Sequence, residues 1–249
     1  MKNIIKSLII IFLLPVLAFA QTETIDAEII LERIDENMSS ENRIVVSDMV
    51  IHGRRKSRII TSKSYGEGDH KSLTEYLAPE REEGTKMLKL EDRLWIYSPS
   101  SDRTIQISGH MLKQSVMGSD LSYEDMMEDR ELTDIYDAKV INEEEYDGRT
   151  CWVVEMIAKV DDASYEQRKV WVDQERYVPL KEELFAKSGQ LLKKTTLSNV
   201  QKIDNRWFPM KINYKDMLKD GRGTDYIIKE IEFDANIPAH IFTKASLSK

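Results

Sequence analysis

Cys151-Trp152-Val153-Val154-Glu155-Met156-Ile157-Ala158-Lys159-Val160 alternates with a period of two. Trp152, Val154, Met156, Ala158 and Val160 fall on one face, and Cys151, Val153, Glu155, Ile157 and Lys159 on the other. Successive side chains of a strand point to opposite sides, so this is a strand with one drier face, as antiparallel sheets have. A second run repeats the pattern, with Phe208, Met210, Ile212 and Tyr214 opposite Pro209, Lys211, Asn213 and Lys215. Outward from these, short β-branched and aromatic runs continue between Arg43 and Phe233. They are punctuated by Gly66-Glu67-Gly68-Asp69, Pro99-Ser100-Ser101-Asp102, Asp147-Gly148, Lys187-Ser188-Gly189, Asp204-Asn205 and Asp220-Gly221-Arg222-Gly223. The runs number about eleven, too many for a flat sheet. A mainly β (α+β) fold follows, with a curved antiparallel sheet part-way to a barrel.

Helical spacing occurs in a few places only. From Asp26 to Met38, Ile29, Ile30, Ile34 and Met38 recur at helical intervals among Glu28, Glu32, Asp35 and Glu36. From Ser122 to Glu131, Ser122 followed by Asp125 has the capping-box layout. The spacing turns Tyr123, Met126 and Met127 inward and gathers Glu124, Asp125, Glu128 and Asp129 on a solvated side. Ile237-Pro238 to Leu247 reads as a short closing helix.

The N-terminus has the layout of an export signal. Lys2 and Lys6 precede an apolar run from Leu8 to Leu17, and Ala18-Phe19-Ala20 offers a cleavage site. Residues 1–20 are expected to be removed, leaving residues 21–249 as one exported domain. The lone Cys151 lies far from that site, so no lipid anchor is expected there, and it cannot form an internal disulfide. It reads as a small buried hydrophobe. A formal charge of −8 argues against nucleic acid or anionic lipid headgroups as the main partner.

The residues offer little raw material for catalysis. There is no Gly-x-Ser-x-Gly elbow, and the glycines are dispersed among turns, so neither a hydrolase nucleophile nor a phosphate-cradling loop is read. His52, His70, His110 and His240 are scattered and lack zinc-site spacing. The pair Glu124 and Asp125 could serve acid/base chemistry, but a solvated helix face is the simpler reading. No catalytic residue, metal or cofactor is expected. What remains is apolar surplus, with eleven methionines and twenty aromatic residues. Methionine suits adaptable apolar surfaces, and the concave face of a curved sheet must be covered by helices or by a ligand.

Three segments together carry a family resemblance. Leu94-Trp95-Ile96-Tyr97-Ser98-Pro99, Ser115-Val116-Met117-Gly118-Ser119-Asp120-Leu121-Ser122-Tyr123-Glu124-Asp125, and Lys169-Val170-Trp171-Val172-Asp173 with Pro179-Leu180-Lys181 resemble the outer-membrane lipoprotein-sorting proteins of the LolA-like type. The resemblance spans nearly all of residues 21–249. It implies an unclosed barrel of about eleven antiparallel strands wrapped around lid helices over an apolar cavity. It further implies a periplasmic, monomeric carrier that binds a lipid or the acyl chains of a lipoprotein for transfer to the outer membrane. An association with inner-membrane resistance-nodulation-division transporters of the MMPL kind is also implied. The alternative is an envelope sensor or adaptor for such a transporter, built on the same fold. Trp95, Tyr97, Met117, Met126, Trp152, Met156, Phe208 and Met210 are the candidates for the cavity or its lid.

Overall fold

A computed structural model describes residues 25–128 and 130–248. The export signal expected over residues 1–20 lies outside the described residues.

Helix α1, Ala27–Met38, opens on Asp26, whose carboxylate accepts the amide of Glu28 at 3.0 Å. That contact satisfies one of the orphan donors of the first turn. Its buried stripe is Ala27, Ile30, Leu31 and Ile34, which is the i, i+3, i+4, i+7 set. Ile29, placed in the stripe by its spacing from Met38, lies to the side of it and is 47% exposed. The sheet follows in two meanders. The first runs through β1 (Asn42–His52), β2 (Ser57–Glu67), β3 (Lys71–Ala78), β4 (Lys86–Leu90), β5 (Arg93–Ser98) and β6 (Arg103–Ile107). The second runs through β7 (Tyr136–Tyr146), β8 (Arg149–Ala158), β9 (Gln167–Asp173), β10 (Pro179–Phe185), β11 (Leu191–Ile203), β12 (Arg206–Asp216) and β13 (Thr224–Phe233).

β13 pairs antiparallel with β1, which joins the meanders into one 13-stranded sheet whose edges are β6 and β7. The sheet is therefore unclosed, as expected, although it holds thirteen strands where the turn signals indicate about eleven. Register shifts at Val46/Ser47, Thr61/Ser62, Val140/Asn142, Pro179/Lys181 and Leu184/Phe185 mark bulges. Each adds local twist and bends its strand, which is how a sheet this wide avoids lying flat.

The chain must travel from edge β6 to edge β7. Residues 108–135 make that crossing as a strap of two 3-10 turns, the helix α2 (Tyr123–Met127) and the helix α3 (Leu132–Ile135). α2 has the capping box read from the sequence, with Ser122 and Asp125 exchanging bonds. It ends at Met127, not at Glu131, and Lys89 Nζ caps it by donating to the Met127 carbonyl at 3.3 Å. The C-terminus forms two 3-10 turns, Ala239–Ile241 and Lys244–Ser246, in place of the closing helix. No helix among the described residues is long and apolar enough to cross a membrane.

The core is split between the two faces. α1 packs on Val154, Met156, Val170 and Val172 of β8 and β9, while Cys151, Val153, Trp171, Val178 and Leu180 pack on the reverse side. Trp171 thus turns away from α1. Its indole donates to Glu144 Oε2 at 2.7 Å, and Lys181 Nζ sits 3.5 Å from the ring centroid. Cys151 is fully buried, as expected, and burial pushes its thiol up to about 11.

Candidate functional site

The concave side of the sheet holds an open-sided cavity of about 580 Å³, within the size range of small-ligand sites. Its walls differ in character. β1, β12 and β13 contribute Val45, Phe208, Ile212, Ile228 and Ile231, with Met38 from the end of α1 and Leu121 and Met126 from the strap. β9, β10 and β11 contribute Arg168, Glu182 and Lys193, and Tyr165, Tyr214 and Tyr226 add phenol groups. The polar wall of β9–β11 lies beside an apolar one that is itself not free of polar groups, since Tyr214 and Tyr226 belong to β12 and β13 and Arg43 of β1 also lines the space.

Each charge on the polar wall is held by specific contacts. Arg168 Nε donates to Tyr136 Oη at 3.2 Å, and its guanidinium lies 3.5 Å from Glu182. The group stacks 5.2 Å from the Tyr136 ring and 5.8 Å from the Tyr165 ring. Burial opposes its charge, but Glu182 and Tyr136 outweigh burial and raise its pKa. Asp125 turns into the cavity, where Tyr165 Oη donates to it at 2.5 Å and Lys193 Nζ contacts both it and Ser122. Burial works against the Asp125 carboxylate, yet Lys193, Ser122 and Tyr165 prevail and hold it below the ordinary carboxylate range. Burial and then Asp125 push the Tyr165 phenol up, so it remains a donor. These bonds latch α2 to β11 and to the segment before β9.

That geometry corrects the reading of the α2 acids as a solvated face. Asp125 is the acid at N3 of the capping box, and its second oxygen reaches Tyr165 from across the sheet. The sequence gives no sign of that partner, which is 40 residues away. His52 is a second such case: its Nε2 lies 3.1 Å from Asp225, an acid remote in sequence. Among the described residues no group of three or more His, Cys, Asp or Glu side chains could hold a metal ion.

The eight candidate residues are distributed as follows. Met126 and Phe208 line the cavity. Met210 packs in one cluster with Val45, Phe208 and Ile228 of the apolar wall but does not itself line the cavity. Met117 lies in the strap, between Val116 and Tyr123 on one side and Met49, Ile60 and Tyr76 on the other. Trp152 and Met156 are on the face of β8 that α1 covers, with Trp152 5.3 Å from the Tyr177 ring. Trp95 and Tyr97 do not line the cavity. In β5, Leu94 and Ile96 face the strap, so Trp95 and Tyr97 take the reverse side, against Leu247 of the C-terminal turns.

A family model described as "Uncharacterized protein" matches residues 68–249. The chain belongs to that family. Among solved structures, a DUF1329 family protein from Desulfovibrio piger is similar at 25% identity and a TM-score of 0.77, covering 88% of this chain and 96% of that one. A domain assigned to outer membrane lipoprotein sorting in Vibrio parahaemolyticus gives 23% identity and a TM-score of 0.74 over 89% and 97% of the two chains. A LolA superfamily protein from Nitrosomonas europaea gives 24% and 0.72 over 89% and 99%. The fold is LolA-like, in keeping with the resemblance carried by the sequence. No curated protein matches the chain.

Proposed function

We propose that this member of the family is a non-catalytic periplasmic carrier that takes up one amphiphile, a lipid or the acyl chain of a lipoprotein, for transfer to the outer membrane. A cavity lined by both apolar and polar side chains carries the reading. An acyl chain laid against Val45, Phe208, Ile212 and Ile228 leaves water at about 0.8 kcal/mol per methylene. Its polar end then meets Arg168, Glu182 and the tyrosines, where a wholly hydrocarbon ligand would leave buried polar groups without water. The LolA-like fold supports the same class, since two of the structurally similar proteins are described by lipoprotein sorting or by the LolA superfamily.

The strap supplies the means of closing. It spans the two edges of the sheet, and its latch at Asp125 must open for a ligand that enters beside Met126. Affinity is then set by the difference between cargo contacts and latch contacts. Native mass spectrometry with lipid extraction, on protein purified from its host without detergent, tests this. A near-stoichiometric lipid or acylated protein is expected. An empty protein that also takes up no added lipid refutes the carrier and leaves the sensor or adaptor.

A further inference from the structure

Two turns lie side by side at one end of the strands. β1 and β2 are joined through Gly53-Arg54-Arg55-Lys56, and β12 and β13 through residues 217–223. Arg54 Nη2 donates to Asp220 Oδ2 at 2.5 Å, and the His52 amide donates to the Gly223 carbonyl at 3.3 Å. Residues 53–59 and 217–222 are all exposed. The stretches 53–59 and 215–222 hold seven lysines and arginines against Asp216 and Asp220, a local charge of +5 on a chain of −8. At the centre of that charge the surface is apolar: Leu218 is 65% exposed, Ile59 53% and Met217 41%.

The rest of the molecule gives the tip a direction. At the opposite end of the strands, five hairpin turns carry Asp69, Glu91 with Asp92, Asp147, Glu175 and Asp204 against the single cation Arg176. The acidic turn between β3 and β4, with Glu80, Glu82 and Glu83, borders the tip on one side, where Glu82 lies 3.6 Å from Arg58. The turns at the two ends thus differ in charge, and a negative surface favours contact through the tip. Large aliphatic side chains ringed by cations suit a bilayer interface. There the aliphatic groups reach the acyl boundary while the cations meet phosphates. The net acidity of the sequence hides this, because it averages over the two ends.

We propose that this tip docks the protein on an anionic phospholipid bilayer, with Leu218 and Met217 entering the interface and Arg54, Arg55, Lys56 and Arg222 against the lipid phosphates. Two further cations of the tip hold the strap. Arg58 donates to the Met117 carbonyl, and Lys219 Nζ donates to Ser115 Oγ at 2.7 Å and to the Ser119 carbonyl at 2.9 Å. Phosphates that compete for Arg58 and Lys219 loosen the strap over the cavity. That corollary rests on the carrier reading; the docking itself does not.

Flotation with vesicles of phosphatidylcholine alone, and of phosphatidylcholine with phosphatidylglycerol, tests the docking on protein purified from its host. Binding is expected only to the second kind and is lost at high salt. Arg55→Ser with Lys56→Ser is expected to lower partitioning on the order of 20-fold, since each cation near such a surface is worth about fivefold. Leu218→Ser is expected to lower it about tenfold. All three residues are exposed, and an unchanged melting temperature verifies the fold of each variant. No binding, equal binding to both vesicles, or variants that bind like the parent protein overturn the proposal. Uptake of a fluorescent fatty acid, measured on the same variants, separates the two claims. Uptake without docking removes the tip alone, and docking without uptake removes the carrier alone.

Discussion

Asp35 shows how a single carboxyl can work against its own fold. It lies on α1, and burial raises its pKa to about 6, with Glu131 and Asp69 adding to the shift. The folded protein thus binds this proton more tightly than the unfolded chain, whose carboxyl titrates near 3.8. The contribution of Asp35 to stability therefore falls as pH rises from about 4 to about 6 and stays low above that. Asp35→Asn is expected to raise the melting temperature at pH 8, with the gain shrinking through pH 6 and vanishing below pH 4. Thermal unfolding of both proteins across that range checks it. Cys151 is the opposite kind of residue, fully buried and with its thiol pushed up to about 11. Reaction with a thiol reagent at pH 8 is expected to be negligible in the native protein and complete on unfolding. Its burial was legible because a lone cysteine beside Trp152 in a strand run reads as a small buried hydrophobe. The partners of Asp125 were not, since long-range pairing leaves no periodicity in a sequence.

At the scale of elements, α1 and the strap play different parts. α1 is anchored by packing, and Leu31 is 1% exposed against the β8–β9 surface. Leu31→Ala is expected to cost about 3 kcal/mol in chemical denaturation. α2, a single helical turn too short to stand alone, depends on its latch. Asp125 and Lys193 are both largely buried, with side chains 13% and 17% exposed. Removing one member of such a pair leaves the other charge uncompensated. Asp125→Ala is expected to open the strap, read as faster proteolysis between residues 108 and 135 and as faster exchange of a bound probe, and to cost about 2–4 kcal/mol. Unaltered proteolysis would show that packing of Tyr123 and Met126 holds the strap unaided. The start of α2 was legible in Ser122 and Asp125, because a capping box is local chemistry. Its end was not, because the cap on its last carbonyls is Lys89 of β4. The strand count came out short for a related reason. β4 and β5 are joined through Glu91 and Asp92, and Glu91 takes a φ of 52° without being the glycine or asparagine that marks such turns. Between β9 and β10 the turn is fixed by Asp173, which accepts the amides of Glu175 and Arg176 and both Arg149 bonds.

The whole molecule is an open sheet whose two edges are tied by the strap that covers its concave face. Alternation and turn spacing made that architecture legible. The face each aromatic takes was legible only where one side of its strand was plainly polar. Leu94 to Tyr97 is apolar on both sides, which is why Trp95 and Tyr97 turned out to lie against Leu247 and away from the cavity. The edges are guarded unequally. β7 carries Glu143, Glu144 and Glu145, which oppose pairing with another chain, while β6 exposes Ile105 at 51%. The central claim is that the space beneath the strap is a binding site for an amphiphile. Its most direct measurement is the uptake of a fluorescent fatty acid by delipidated protein, compared with Ile228→Trp, which fills the apolar wall. Saturable binding at one site, lost in a folded Ile228→Trp protein, is predicted. Absence of binding, or binding that Ile228→Trp leaves intact, would contradict it.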